Sequence, residues 1–565
     1  MKLKQFFDFT RIYNKEIITY SIITFLSSFL ESIGLITLIP LLSIVSNKDI
    51  DEGNQISNFT QDIFDKLNLE PSFNFLIIVI LIISLSSILL RFLAKLYTGY
   101  TQNKIMTEHR MQLINSVKQV GWEFYSNLSS GYLLNLIMRE TLQIGKYFTS
   151  VCSLLSMFFQ IIAFTLVVII IDSQIIIMLV LAGIIMFSTL SFIVGKTGSI
   201  SKKLVENRNY FSKQLIDFLG AAKTFIIMGI NKYYFINFEK LIKELRANLN
   251  GVILLNASLE LFQELIKISF GIFIIYFLLK NRQMEFEIFI VLFITFIRGF
   301  SVFQSGQKDI QRIFNASYSL KYVENAIVDS TKHKEEFKGS KIIKKFKKII
   351  FKKVRFSYKK KRVFTNLNLE INDKSFLSIV GPSGSGKTTF IDLLSGLIQT
   401  ETGEILIDKS NINNIDIKVW RNLISFVPQD VFLFNDTVFK NIILENKNIS
   451  EKDVNKILKV VGLSKNKFGK HIDASYMVGE QGRKLSGGQK QKIAIARALI
   501  RKPKILILDE PFSSLDIESR KQILDVLINI KGKYLIIAST HEKELIRISD
   551  LTFKVDRNKI IKHSL

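Results

Sequence analysis

The chain has one cysteine, six prolines, two tryptophans and five histidines in 565 residues. A lone Cys152 can make no intrachain bridge, which excludes a disulfide-stapled secreted scaffold. So few prolines exclude a collagen-like chain, and a hydrophobic content of 48% excludes a disordered one. Acidic residues are in the minority: 49 Asp and Glu against 76 Lys and Arg give a formal charge of +27. Such an excess suits either nucleic acid or cytoplasmic loops held against anionic lipid, and its distribution decides between them. Part of it is compositional, because much of the sequence is rich in Ile, Phe, Lys and Asn. A mean hydropathy of +0.26 is too high for a wholly soluble chain of this length, so part of it is expected in lipid.

Apolar stretches approaching the ~20 residues that a spanning helix needs occur six times before residue 310 and never afterwards. They are Ile18 to Ile44, Phe73 to Leu93, Val151 to Ile171, Ile175 to Val194, Val252 to Leu279 and Phe286 to Phe303. The first is too long for a cleaved signal segment and lacks a small-residue cleavage site, so it is expected to be retained. Basic residues gather before span 1 (Lys2, Lys4, Arg11, Lys15), between spans 2 and 3 (Lys104, Arg110, Lys118, Arg139, Lys146) and after span 4 (Lys196 to Arg246). The positive-inside rule makes these sides cytoplasmic. The stretch after span 1 is acidic instead, and only Asp172 to Gln174 joins spans 3 and 4, so these turns face outward and both termini face inward. Charge spread over loops in this way predicts a multi-pass protein of the cytoplasmic (inner) membrane, in contact with lipid and not with nucleic acid. The excursions Tyr97 to Tyr147 and Lys196 to Leu249 are helical in pattern and far longer than ordinary connections, which predicts helices running well beyond the bilayer.

The expected domains are a transmembrane domain over 1–325, a linker over 326–342 and an α/β domain over 343–565. The linker's polar stretch could equally be a solvated helix face. In the last domain β-branched runs (Phe376 to Val380, Lys504 to Leu508, Tyr534 to Ala538) alternate with helical periods, as around a parallel sheet. Gly381, Ser383, Gly384, Ser385, Gly386, Lys387, Thr388 and Thr389 belong to a G-x-x-x-x-G-K-[ST] run that follows the first strand and opens a helix. Its glycines let backbone N–H groups turn toward phosphates, Lys387 reaches the β and γ phosphates of ATP, and Thr388 suits Mg²⁺. The strand Ile505 to Leu508 ends in two carboxylates, with Asp509 suited to Mg²⁺ and Glu510 to polarising an attacking water. Alternation along a strand points the two apart.

Leu485-Ser486-Gly487-Gly488-Gln489, about 20 residues before that strand and opening another helix, resembles the signature of ATP-binding cassette (ABC) proteins. The resemblance implies a six-span α-helical transmembrane domain fused to an α/β P-loop cassette, the half-transporter of a type I exporter. It further implies that Tyr358 stacks on adenine, that Gln429 senses Mg²⁺ and that His541 contacts the γ-phosphate beside the catalytic Glu510. Tyr358 and His541 have ordinary alternatives, as a strand aromatic and a surface histidine. Exporters usually have Arg after this His, whereas here Glu542 follows. Ser486, Gly487, Gly488 and Gln489 act in the family on a nucleotide held by another cassette, which with one cassette per chain implies a homodimer with two hydrolysing composite sites. Trp122 to Leu134 and Leu215 to Met228 resemble the two coupling helices, and Leu3 to Ile12 suits an interfacial elbow.

Ionisable residues within the spans mark transport function by default: Glu31, Arg91, Lys95, Glu260, Glu264, Lys267 and Arg298. Glu264 and Lys267 form an expected i, i+3 pair. The first span with the acidic segment after it, including the amphipathic run Phe59 to Leu69, resembles the PglK-type flippase of lipid-linked oligosaccharides. That resemblance makes Arg91 and Arg298 candidates for binding a polyprenyl-diphosphate-linked glycan. A general lipid or multidrug exporter is the alternative, followed by a peptide exporter and a non-transporting ABC regulator.

Overall fold

The computed structural model describes residues 3–45, 72–171, 175–229, 231–281, 286–335, 337, 339–358, 361–463, 471–556 and 558–562. These divide into two units, Met1–Val120 with Asn127–Lys334, and Gly121–Ser126 with Glu335–Leu565.

The first unit is helical. α1 (Leu3–Ile12) is short and strongly amphipathic, as an elbow should be. α2 (Asn14–Ile36) and α3 (Leu38–Val45) carry the first apolar span. The break between them at Thr37 lies three positions before Pro40, whose ring lacks the N–H that a continuous helix needs. α4 (Phe73–Lys118) has 46 residues, about 70 Å of helix, more than twice a hydrocarbon core. Ser72 caps it through Phe75 N–H. Two short helices, α5 (Trp122–Tyr125), which is grouped with the second unit, and α6 (Ser130–Asn135), precede a π-turn at Leu136–Glu140 and the long α7 (Thr141–Ile171). α8 (Ile175–Gly220), α9 (Ala222–Met228), α10 (Asn231–Asn281) and α11 (Phe286–Lys332) complete the set. Small residues let these helices approach: Ser27 and Ser87 exchange buried hydrogen bonds, and a Cβ on Gly145 would meet Gln102 at 2.8 Å.

Among the described residues four segments are long and apolar enough to cross a membrane: Asn14–Val45, Phe73–Lys118, Ser130–Ile171 and Phe286–Lys332. They contain expected spans 1, 2, 3 and 6. Expected spans 4 and 5 fall on the continuous helices α8 and α10, so the six-span count is not established by this measure. The run Phe59 to Leu69 lies outside the described residues. α11 continues to Lys332, so the first residues of the expected 326–342 linker are helix.

The second unit is α/β. β1 (Lys348–Tyr358), β2 (Lys361–Asn372), β4 (Thr402–Ile407) and β5 (Ser410–Asn411) form an antiparallel sheet of order β2-β1-β4-β5. β3 (Phe376–Val380), β6 (Ile424–Val427), β7 (Ile505–Asp509), β8 (Leu535–Ser539), β9 (Leu551–Asp556) and β10 (Lys559–Lys562) form the second sheet, of order β10-β9-β3-β8-β7-β6. All its pairings but β10 with β9 are parallel. β3, β7 and β8 are buried nearly throughout, which explains their unbroken apolar runs. Packing on the P-loop side is aromatic: Phe351 stacks on Phe390 at 4.9 Å, and buried Trp420 donates Nε1–H to Leu394 O at 2.9 Å.

Candidate functional site

Parallel α/β sheets place ligands beyond the carboxyl ends of their strands. Here Gly381 follows β3, Gln429 lies two residues after β6, Asp509 and Glu510 close β7, and His541 lies two residues after β8. Residues far apart in sequence are therefore delivered to one edge by adjacent strands.

The helix Lys387–Leu394, α12, begins at Gly386, whose φ of 114° is left-handed and whose Cβ would meet Val363 at 2.7 Å. Only glycine turns the loop so tightly there. Lys387 is buried and donates from Nζ to Gly381 O at 2.7 Å and Pro382 O at 3.3 Å, and Nζ lies 3.0 Å from His541 Nε2. An ammonium only donates, so Nε2 is the acceptor in this contact. Burial lowers the Lys387 pKa, while Glu510 and Asp509 pull it back up. Ser385 Oγ is buried without a partner. A hydroxyl left so inside a glycine-rich loop fits a phosphate oxygen. Thr388 is exposed at the same helix start.

Glu510 has φ 45°, a left-handed conformation unusual for a side chain of this size, and its N–H is held by Ser539 O at 2.9 Å. Regular strand backbone therefore stops at Asp509, and both carboxylates lie near enough to Lys387 to act on its charge. Glu510 Oε1 stands 3.8 Å from His541 Nε2. Asp509 has its pKa raised by burial and by Glu510. Asp392, one turn after Thr388 on α12, was not expected; burial and then Asp509 push it up to about 6. Helical spacing from Thr388 was the signal that could have found it. The Tyr358 hydroxyl meets Thr389, and its ring is edge-on to Phe356 at 4.9 Å, so it stands over the same helix. Gln429 is exposed.

Ser486 is elsewhere. It caps the helix Gly487–Ile500 in a reciprocal box with Gln489. Gly487, Gly488, Lys492, Ser514 and Gln522 share its hollow of about 400 Å³, to which no P-loop residue contributes. Lys492, which sequence reasoning passed over, donates there to Gly462 O at 3.0 Å and Gln522 Oε1 at 2.8 Å.

In the helical unit Arg91 and Arg298 meet on a common partner. Glu31 Oε2 accepts from Arg91 Nη1 at 3.1 Å, and Glu31 Oε1 accepts from Arg298 Nη1. Glu264 pairs with Lys267 at 2.5 Å as expected, and Glu260 pairs with Lys308 at 2.8 Å.

Residues 364–513 match the ABC transporter family. Over 216 residues the chain is 39% identical to a Rickettsia typhi protein named for export ATP-binding and permease roles, spanning 38% of each. It is 27% identical over 521 residues to the multidrug resistance-like ATP-binding protein MdlA of Buchnera aphidicola, covering 87% of this chain and 86% of that one. The solved structure of a bacterial Atm1-family ABC exporter with ATP bound superposes with a TM-score of 0.77 at 20% identity, covering 97% of this chain and 95% of that one. The chain thus carries an ATP-binding ABC transporter domain within an ABC exporter fold.

Proposed function

We propose that the chain is half of a homodimeric, ATP-driven exporter of six spans per subunit in the cytoplasmic membrane, with its cassettes in the cytoplasm, that flips a polyprenyl-diphosphate-linked oligosaccharide. The observation that carries the cargo reading is the meeting of Arg91 and Arg298 within the helical unit. Two guanidiniums present donor forks suited to phosphate oxygens.

For ATP, the P-loop N–H groups and Lys387 hold the phosphates, Tyr358 meets the adenine, and Glu510 orients a water in line with the γ-phosphate while His541 steadies that phosphate. Thr388, Gln429 and Asp509 would hold Mg²⁺, which would supply neutralisation of phosphate charge. Ser486 with its helix N-terminus serves the nucleotide of the partner cassette. The exposed apolar end formed by Leu219, Ile226, Ile227 and Met228 supports a second copy as partner, since such a cluster suits a docking surface.

In proteoliposomes, Arg91→Ala with Arg298→Ala is expected to abolish flipping of a diphosphate-linked glycan while basal ATPase persists, and lysine replacements to restore it in part. Full flipping by the double variant rejects the cargo reading. Glu510→Gln is expected to keep ATP binding and lose turnover by orders of magnitude; near-normal ATPase rejects its role.

A general lipid or multidrug exporter is favoured by a different feature. A hollow of about 260 Å³ is lined by Phe164, Val168, Ile274, Leu292, Phe296 and Phe300 among others, and the hydroxyls at its wall, Thr165 and Thr295, are turned back onto Ile161 O and Val291 O. Apart from these two hydroxyls its lining is apolar, as a site for an uncharged drug would be.

A further inference from the structure

Glu31 stands at the centre of the arginine pair with its side chain 9% exposed, whereas those of Arg91 and Arg298 are 43% and 49% exposed. The anion is the enclosed partner and the cations are the open ones. Each carboxylate oxygen takes one guanidinium, and each guanidinium gives it one nitrogen of its fork. Two positive charges thus face one negative charge, with guanidinium donors left over.

Resting on the anionic-cargo reading, we propose that Glu31 is a positioning residue and an internal competitor of the cargo's phosphate group. It aims both arginines at one point, and a phosphate takes over their donors from it. A diphosphate offers more oxygens and more charge than a carboxylate, so it can displace Glu31 from at least one arginine. Because Glu31, Arg91 and Arg298 lie on α2, α4 and α11, that exchange also loosens a tie among three helices. Removing Glu31 leaves two half-exposed cations. Removing both arginines leaves an enclosed carboxylate uncompensated, a costlier change. Glu31→Gln is therefore the informative variant.

The full chain in nanodiscs is titrated with undecaprenyl diphosphate, with inorganic pyrophosphate and with phosphatidylglycerol, and lipid-stimulated ATPase is followed in parallel. Glu31→Gln is expected to tighten undecaprenyl diphosphate binding about tenfold, the size of one charge-assisted bond no longer exchanged, and to lower the half-maximal stimulating concentration without changing the KM for ATP. Glu31→Asp, which keeps the charge, should return toward the parent. Unchanged or weaker binding by a Glu31→Gln protein of normal Tm overturns the competitor role and leaves the cargo reading standing. If the parent ignores both diphosphates and Glu31→Gln tightens phosphatidylglycerol alone, the diphosphate reading falls and the competitor role survives. Binding of pyrophosphate as tight as that of the lipid shows that the phosphate group suffices; no binding of any anion by either protein overturns both.

Discussion

Asp392 and Asp509 show how the nucleotide edge is charged. Burial and the neighbouring Asp509 raise Asp392 to about 6 from an ordinary value of 3.8. The folded state therefore holds this proton more tightly than the unfolded chain, so the favourable contribution is complete below about pH 4 and is lost as pH rises through about 6. At pH 7.5 the ionised side chain opposes folding. Asp392→Asn is expected to stabilise the protein at pH 7.5 by on the order of 1–3 kcal/mol, with the gain fading toward pH 4; thermal unfolding at the two pH values checks it. An equal gain at both would show that charge is not the cause. Lys387, Asp509 and Glu510 were legible in the sequence because motif spacing fixes their chemistry, whereas Asp392 and Glu31 were not given partners, since these depend on helix packing. Glu31 meets residues 60 and 267 positions away.

The helix Gly487–Ile500 separates structural from chemical work at one residue. Ser486 accepts from Gln489 N–H, and the Gln489 side chain accepts from Ser486 N–H. Ser486→Ala should cost ~0.5–2 kcal/mol through the lost cap. Ser486→Asp can cap equally well but sets a negative charge on the surface proposed to face the partner's nucleotide. Tm is therefore expected to recover in Ser486→Asp while ATPase stays at least about tenfold down, a loss that needs only ~1.4 kcal/mol of repulsion; recovery of both would make the serine a cap and nothing more. Strands β3, β7 and β8 were readable as apolar runs because both of their faces are covered. The reach of α11 to Lys332 was not, because a polar helix face and a linker share a composition. Gly121–Ser126, grouped with the cassette unit, overlaps the Trp122 to Leu134 stretch that resembles a coupling helix, a signal carried by the family resemblance and not by a local pattern.

At the scale of the whole molecule, the P-loop edge and the Ser486 hollow are separate surfaces of one cassette, so the question is which copy completes which. If pairing is between chains, a chain carrying both Lys387→Ala and Ser486→Arg, joined to an unchanged partner, places one defect in each composite site. Separate single-variant chains instead place both defects in one site and leave the other intact. Pairing within a chain reverses these two patterns. Dimers purified through two different tags are expected to retain one tightly held nucleotide per dimer in the separate arrangement and little in the combined one, read as nucleotide trapped after the transition state is mimicked. Equal trapping in both arrangements, or the reverse order, would overturn the composite site and with it the inference that one cassette per chain calls for a second copy.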